Sequence, residues 1–174
     1  YEKINISNDW NGFNVLQTYS GRVGALDIGF YNKRNISKSN ILKKIYAGYF
    51  DILYLLTADE LDIEQIPKKT FVVYQGHHGD LSAQRADLII PTSCFTEKEG
   101  IYVNLEGRPQ ISRQVKMSLP NIDHSWDFFL KLSKILKIDL VYKNFEELRS
   151  TMFESHVHLS KINEIQKNKD FKSK

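Results

Sequence analysis

The chain has 174 residues, a length that suits one domain, or one domain with an extension. It is 41% hydrophobic and 26% charged, as soluble globular proteins commonly are, and no apolar run is as long as a membrane span. The formal net charge of +3 is too small to argue for nucleic acid, and one cysteine excludes an internal disulfide. The start lacks both a methionine and a signal-peptide pattern, so we expect a processed product or one piece of a longer polypeptide.

Two helices are predicted in the first third of the chain. Apolar residues recur at helical spacing over residues 13–26, which predicts a helix near the start, and a polar loop follows. A second helix places Ile41, Leu42 and Ile45 on one face, with Ser37 or Ser39 as its cap.

Three short apolar runs predict parallel strands at Ile52–Leu56, 70–76 and 86–91. The runs are continuous rather than alternating, which is typical of strands covered on both faces, and we expect Ile89 to be buried. The connector at 81–85 has room for one helical turn. This order of elements predicts an α/β fold with an open, mainly parallel sheet flanked by helices.

The second half is predicted to contain an extended segment, two helices and a tail. Residues 101–116 favour an extended segment with a turn at 106–107. A helix that is apolar around most of its circumference, and therefore well buried, should begin near Ser125. A capping-box pattern at Asn144 opens a short helix, and the basic chain beyond about residue 159 is expected to be frayed.

We divide the chain at residue 140. The predicted α/β domain covers residues 1–140, as part of a larger subunit, and a C-terminal extension with a helix and a polar basic tail covers residues 141–174.

Two histidine pairs invite comparison with metal sites. His77 and His78 follow the second strand, at the edge where open sheets usually bind ligands. Adjacent residues are nonetheless poor partners for one metal ion, and no HxxxH or CxxC pattern supports them. His156 and His158 could share one face of a strand, but they lie near the tail. We predict no metal ligands in either pair.

Glycines and the lone cysteine are the next candidates for a functional site. Gly76 and Gly79 could let a phosphate approach the backbone, but a dinucleotide fingerprint needs a third glycine. We interpret both as turn residues with positive φ. Cys94 lacks a nucleophile-elbow pattern, and we interpret it as a partly buried core thiol.

Acidic residues supply the remaining candidates. Glu97 and Glu99 are interpreted as solvent-facing or as loop braces, and Glu106 with Arg108 as a brace across a turn. Because nothing orients a general acid and base, the sequence predicts no catalytic, cofactor-binding or metal-binding residue in this chain.

The segment "ADLIIPTSCFTEKEGIYVNLEGRPQ" resembles a signature of the molybdopterin oxidoreductase superfamily. The matching elements are Ala86, Asp87, Pro91, residues 96–100, Asn104 and residues 106–108. The resemblance implies the α/β layer already predicted. In catalytic members, loops at this edge help to frame the pterin cofactor.

A narrower resemblance is to the 75 kDa iron–sulfur subunits of respiratory complex I, which bacteria call the G subunit. It rests on "WNGFNVL" (10–16), "VGALDIGF" (23–30) and "VYQGHHGD" (73–80), and it covers about residues 10–137. It implies a C-terminal, molybdopterin-oxidoreductase-like part that has lost its cofactor, with iron–sulfur clusters held in an N-terminal part outside this sequence. Cys94 is then not a cluster ligand.

Two functions follow as expectations from these resemblances. The first is a structural and assembly role in NADH-quinone oxidoreductase, in which the chain is not itself catalytic. Its partners would be the cluster-bearing N-terminal part of the 75 kDa subunit and other peripheral-arm subunits, on the matrix side of the mitochondrial inner membrane or the cytoplasmic side of a bacterial one. The alternative is a fragment of a molybdopterin-dependent oxidoreductase, similar to formate dehydrogenase, whose loops at 75–80 and 104–108 would contact the pterin. A weaker hypothesis is a free-standing nucleotide-binding module.

Overall fold

The structure is a computed structural model that describes residues 6–7, 10–11, 15–30 and 38–164. The chain forms two compact units, each assembled from separate segments. One contains residues 1–31, 100–112 and 146–174, and the other contains residues 32–99 and 113–145. The predicted boundary at residue 140 stays a prediction.

The described elements alternate between strands and helices. In chain order they are β1 (Ile6–Ser7), β2 (Trp10–Asn11), α1 (Arg22–Asp27), α2 (Lys38–Tyr46), β3 (Ile52–Leu56), β4 (Phe71–Gly76), α3 (Leu81–Arg85), β5 (Leu88–Pro91), β6 (Gly100–Val103), β7 (Pro109–Ser112), α4 (Ser125–Leu136) and α5 (Phe145–Ser155). Three single-turn 3₁₀ helices lie at Ile63–Gln65, Phe95–Glu97 and Val157–Ser160.

The larger unit is built on a three-stranded parallel sheet in the order β3-β4-β5. This confirms the predicted α/β class and all three predicted strands. On one face, Leu55, Val72 and Tyr74 pack into a buried cluster with Ile45 of α2 and Ala83 of α3. The opposite face meets α4, so the sheet lies between two helical layers.

The contact between α4 and the sheet follows from strand alternation. Tyr54 points away from its buried neighbour Leu55, because successive side chains of a strand face opposite sides. Its ring centroid lies 5.9 Å from that of Phe129 in α4. At the end of β5, Thr92 Oγ1 lies 3.1 Å from Ser125 Oγ, which fixes the start of the helix beside the sheet.

Asp87 closes the beginning of the parallel ladder. Its backbone N–H donates to Val72 O at 2.8 Å, and its Oδ2 accepts from the Val72 N–H at 2.7 Å. That second bond lowers the pKa of Asp87, and a contact of 3.3 Å from Arg85 Nη1 acts in the same direction. The carboxylate therefore takes the place of a backbone acceptor where β5 has not yet begun.

Pro91 shapes the other end of the ladder. It lies opposite Gly76 in the register but has no N–H to donate. The next residue, Thr92, donates to Gly76 O at 3.0 Å instead. The strand therefore leaves the sheet at the proline, as the sequence suggested.

Burial is uneven across the parallel sheet. Val72 in the central strand is fully buried, whereas Ile89 in β5 is 54% exposed and Leu88 is 47% exposed. The expectation that Ile89 is buried is wrong. The reason is that β5 is an edge strand among the described residues, with β4 as its one neighbour.

The smaller unit is built on the antiparallel hairpin β6-β7. It confirms the predicted extended segment and turn. Helix α1 packs closely on β6: a β-carbon placed on Gly24 would lie 3.4 Å from Val103 Cγ2. Val103 is buried against this helix, with 3% of its surface exposed.

Asn163 covers the outer edge of β7. Its backbone N–H donates to Pro109 O at 2.8 Å, and its Oδ1 accepts from the Ile111 N–H at 3.4 Å. Asn163 has φ of 61°, a left-handed conformation that asparagine tolerates better than most residues. One residue thus takes the hydrogen-bonding positions that a further strand would take.

Helix boundaries depart from the sequence prediction in two places. The first helix is α1 alone, and the apolar residues Val15, Leu16 and Tyr19 lie before it and are exposed. Residues 13 and 14, and the candidate cap Ser37, lie outside the described residues. Ser39 is inside α2 rather than at its cap. Isolated apolar spacing overestimated the first helix because that spacing says nothing about what the side chains pack against.

The last two helices begin as predicted, at Ser125 and after Asn144. Helix α4 is less buried than expected, with Ile135 77% and Leu136 56% exposed at its C-terminal end. The chain just beyond residue 155 is more ordered than expected, because Leu159 is only 2% exposed. The end of the predicted tail, residues 165–174, lies outside the described residues.

Candidate functional site

The carboxyl edge of β4 carries the two adjacent histidines, as the sequence predicted. The rings of His77 and His78 meet edge to face with centroids 4.5 Å apart, and both residues are exposed. Two such side chains supply at most two ligands to a metal ion. Within the ranges that the structure describes, no group of three His, Cys, Asp or Glu residues is placed to hold one.

Just before these histidines, Tyr74 connects the strand to two carboxylates. Its side chain is buried, and its hydroxyl donates to Asp59 Oδ2 at 3.2 Å and also hydrogen-bonds Asp80. Burial, with the charges of Asp59 and Asp80, raises the pKa of Tyr74 to about 12. The phenol is therefore held neutral, as a donor to acidic acceptors.

Gly76 is needed because of the Tyr74 ring. A β-carbon at Gly76 would overlap the hydroxyl end of that ring, whereas one at Gly79 would meet no atom within 4 Å. The prediction that both glycines adopt positive φ is wrong, since the described glycines with positive φ are Gly29, Gly48 and Gly107. What Gly76 supplies is room for a side chain two residues earlier on the same face of the strand.

Gln75 is a polar residue inside the layer under α4. It is fully buried, and its Oε1 accepts a hydrogen bond of 2.6 Å from Tyr54. Its Nε2 has no partner among the described residues. Burial raises the pKa of Tyr54. Neither residue was singled out from the sequence, although a glutamine within an apolar strand was a usable signal.

Cys94 caps the 3₁₀ helix Phe95–Glu97. Its thiol accepts a backbone N–H of that turn, and Glu97 Oε2 accepts from the Cys94 N–H at 3.1 Å. A hydrogen bond from the Thr96 backbone lowers the pKa of Cys94. The partly buried thiol agrees with the predicted structural role, and it accounts for Glu97 as a loop brace.

The Glu106–Arg108 turn is held together by its own side chains. Asn104 Oδ1 accepts from the N–H groups of Glu106 and Arg108, at 3.0 and 2.9 Å. Arg108 Nη2 lies 2.6 Å from Glu106 Oε2, and Gly107 has φ of 79°. These contacts confirm the predicted brace across the turn. The Asn-x-Glu-Gly-Arg pattern therefore encodes a hairpin connection.

The second histidine pair lies beside α1 in the smaller unit. His158 Nε2 lies 3.3 Å from Asp27 Oδ2, and the rings of His156 and His158 are 6.4 Å apart. Nδ1 of His156 is buried and has no partner in the described part of the chain. The pair thus packs around the end of α1, with one carboxylate close to it.

The sequence as a whole matches the model of the molybdopterin oxidoreductase family over residues 1–135. This match includes both strands of the candidate edge and the Asn104 turn. The chain belongs to the molybdopterin oxidoreductase family. Within the described residues, no helix has both the length and the apolar character needed to cross a membrane.

Curated relatives point to one branch of this family. The chain is 42% identical over 169 residues to the NADH-ubiquinone oxidoreductase 75 kDa subunit of Reclinomonas americana, covering 97% of this chain and 24% of that protein. It is 39% identical to the G subunit of NADH-quinone oxidoreductase from Rickettsia bellii, covering 97% of this chain and 23% of that one. It is 40% identical to the mitochondrial NADH-ubiquinone oxidoreductase 78 kDa subunit of Candida albicans, covering 91% and 21%. The chain thus spans about a quarter of the length of these relatives.

The family name implies a pterin cofactor, so the fit of this edge can be tested. A dinucleotide phosphate would need to approach the backbone at Gly76, where the Tyr74 ring already lies. Asp59 and Asp80 beside that ring would repel an anionic group. The residues at this edge do not fit a pterin dinucleotide.

Proposed function

We propose that this chain is a non-catalytic, structural part of the 75 kDa subunit in the peripheral arm of respiratory complex I. The observation that carries the proposal is the extent of the similarity, which runs along 97% of this chain to a relative named as the 75 kDa subunit. The filled edge at Tyr74 and Gly76 supports a structural role, because the place where a cofactor would approach is occupied by the protein itself.

The proposed division of labour leaves redox chemistry to other parts of the assembly. This chain would bind no cofactor, and iron–sulfur clusters elsewhere in the subunit would carry electrons from NADH towards quinone. The single cysteine supports this, since a cluster ordinarily takes several thiolate ligands. What the chain contributes is the packed parallel sheet and the surfaces that it offers to neighbours.

The proposed partners are the cluster-bearing part of the 75 kDa subunit and other peripheral-arm subunits. The proposed location is peripheral, on the matrix side of the mitochondrial inner membrane or the cytoplasmic side of a bacterial inner membrane. Relatives from a bacterium and from mitochondria support this pair of locations.

The test is to recover the chain in its native assembly. An affinity tag on the chain, mild solubilisation and mass spectrometry should return the other subunits of NADH-quinone oxidoreductase, together with NADH-quinone activity. Recovery without them would overturn the proposal. Within the assembly, the double variant His77→Gln/His78→Gln should keep normal turnover, because both rings are exposed and complete no metal site among the described residues.

A fragment of a molybdopterin-dependent oxidoreductase is the second candidate, and the family match over residues 1–135 favours it. Elemental analysis of the same purified assembly separates the two. Iron without molybdenum or tungsten supports complex I, whereas stoichiometric molybdenum or tungsten supports the second candidate and contradicts the misfit at Gly76.

A further inference from the structure

Strand β5 has an open hydrogen-bonding edge. In a parallel ladder, every second residue turns its backbone N–H and C=O toward the same neighbour. Asp87 donates to β4, so Ile89 faces β4 as well. Leu88 and Ile90 therefore direct their N–H and C=O groups away from β4, and among the described residues no strand lies on that side.

Both faces beside this edge are apolar and exposed. Leu88 and Ile89 point to opposite faces of the sheet, and their exposed fractions are 47% and 54%. The strand sequence Leu-Ile-Ile-Pro has no charged residue. Proteins that leave an edge strand in water usually protect it with charges or by covering it. An uncharged, apolar edge is instead typical of a strand inside a wider sheet.

The same chain covers its other outer edge. Asn163 occupies the hydrogen-bonding positions of β7 through Pro109 O and Ile111 N. No corresponding cover exists for β5 within the residues that the structure describes. The difference indicates that the edge of β5 is reserved for something outside these 174 residues.

We propose that β5 pairs with an additional β-strand, apolar on both faces, from polypeptide of the same assembly that lies outside this sequence. The occupant is argued from length: the chain spans 24% of the Reclinomonas americana relative, so roughly three-quarters of such a protein is available to supply the strand. This inference rests on the proposed function for the identity of the assembly. A second copy of the chain, pairing β5 with β5, is the competing occupant.

Hydrogen exchange in the assembled complex tests the pairing atom by atom. The N–H groups of Leu88 and Ile90 have no acceptor in the described chain, so without a partner they should exchange quickly. With an added strand, at least one of them should exchange about tenfold more slowly or better. The N–H groups of Asp87 and Ile89, which face β4, serve as the internal control. Fast exchange at both Leu88 and Ile90 beside a protected Ile89 would overturn the proposal.

Photo-crosslinking in the same assembly identifies the occupant. A benzophenone side chain in place of Leu88 should form a crosslink to one peptide outside residues 1–174, and one in place of Val115 should not. Val115 is a suitable control because it is 85% exposed and lies in the same unit but outside the sheet. A crosslink to a second copy, or none at all, contradicts the proposal.

The two proposals fail in different ways. If the chain co-purifies with NADH-quinone oxidoreductase but Leu88 finds no partner strand, the strand proposal fails and the proposed function stands. If Leu88 crosslinks to a strand in an assembly of another kind, the proposed function fails and the strand pairing stands.

Discussion

The two sheet edges of this molecule are finished in opposite ways. At β7, Asn163 donates its backbone N–H to Pro109 O and accepts from Ile111, so the hairpin ends within the chain. At β5, the described chain offers nothing to the outward groups of Leu88 and Ile90. The contrast indicates that the hairpin is complete in itself, whereas the parallel sheet has a closed interior and an open side. Substitutions in the interior, at the open edge and at the closed edge should therefore differ in their effects.

The largest effect is expected from a charge in the interior of the parallel sheet. Val72 is fully buried in the central strand, and Val72→Asp would place a carboxylate there with no compensating cation. We expect more than about 4 kcal/mol of destabilisation, seen as loss of cooperative denaturant unfolding. Val115→Asp, at a residue 85% exposed, is the matched control and should change stability by less than about 0.5 kcal/mol.

The Ile89 position sharpens this result. Ile89→Asp should cost much less than Val72→Asp in the chain by itself, because Ile89 is 54% exposed there. In the native assembly the same substitution should be severe if an added strand covers it. Equal costs for Val72→Asp and Ile89→Asp in the isolated chain would contradict the edge assignment of β5.

Tyr74 predicts a second effect, confined to alkaline pH. Its pKa is raised from the ordinary 10.0 to about 12, chiefly by burial. Below pH 10 the phenol is neutral in both states, so its stabilising contribution is fully present. Between pH 10 and about 12 the unfolded chain loses the proton first, and roughly 2 kcal/mol should be lost across that window.

Denaturant unfolding of the unmodified chain and of Tyr74→Phe at pH 9, 10, 11 and 12 measures this loss. Their difference in unfolding free energy should stay constant up to pH 10 and then shrink. Burial also raises the pKa of Tyr54 and Tyr142, but both proteins retain these residues and their effects cancel. A difference that stays constant to pH 12 would contradict the buried, carboxylate-paired phenol.

A third prediction compares two nearby glycines. Gly76→Ala would force a methyl group into the Tyr74 ring, and Gly79→Ala would meet open space. We expect about 1 to 2 kcal/mol of destabilisation for the first and almost none for the second, measured by thermal or denaturant unfolding. Similar values for both variants would show that the Tyr74 ring does not depend on the missing side chain at Gly76.

These residues show how far sequence reasoning reached. The strands were predictable because continuous apolar runs, Pro91 and the turn at Gly107 are local signals. The signature around Asn104 was recognised, and its role as a turn followed from short-range hydrogen bonds. What depends on distant neighbours was not predictable: whether Ile89 is covered, why Gly76 has no side chain, and that Asn163 reaches Pro109.

The smallest expected effect lies at the closed edge. Asn163→Gly keeps the left-handed backbone and the N–H donated to Pro109 O, but removes the Oδ1 that accepts from Ile111. Because that bond is long, at 3.4 Å, and lies near the surface, we expect about 0.5 to 1 kcal/mol of destabilisation. Hydrogen exchange should be faster at Ile111, since its N–H then points to an open edge as those of Leu88 and Ile90 do. Asn163→Asp, which retains an acceptor oxygen, is the control and should keep Ile111 protected. If Ile111 exchanged at the same rate in all three proteins, Asn163 would not be what closes β7, and the contrast between the two edges would not hold.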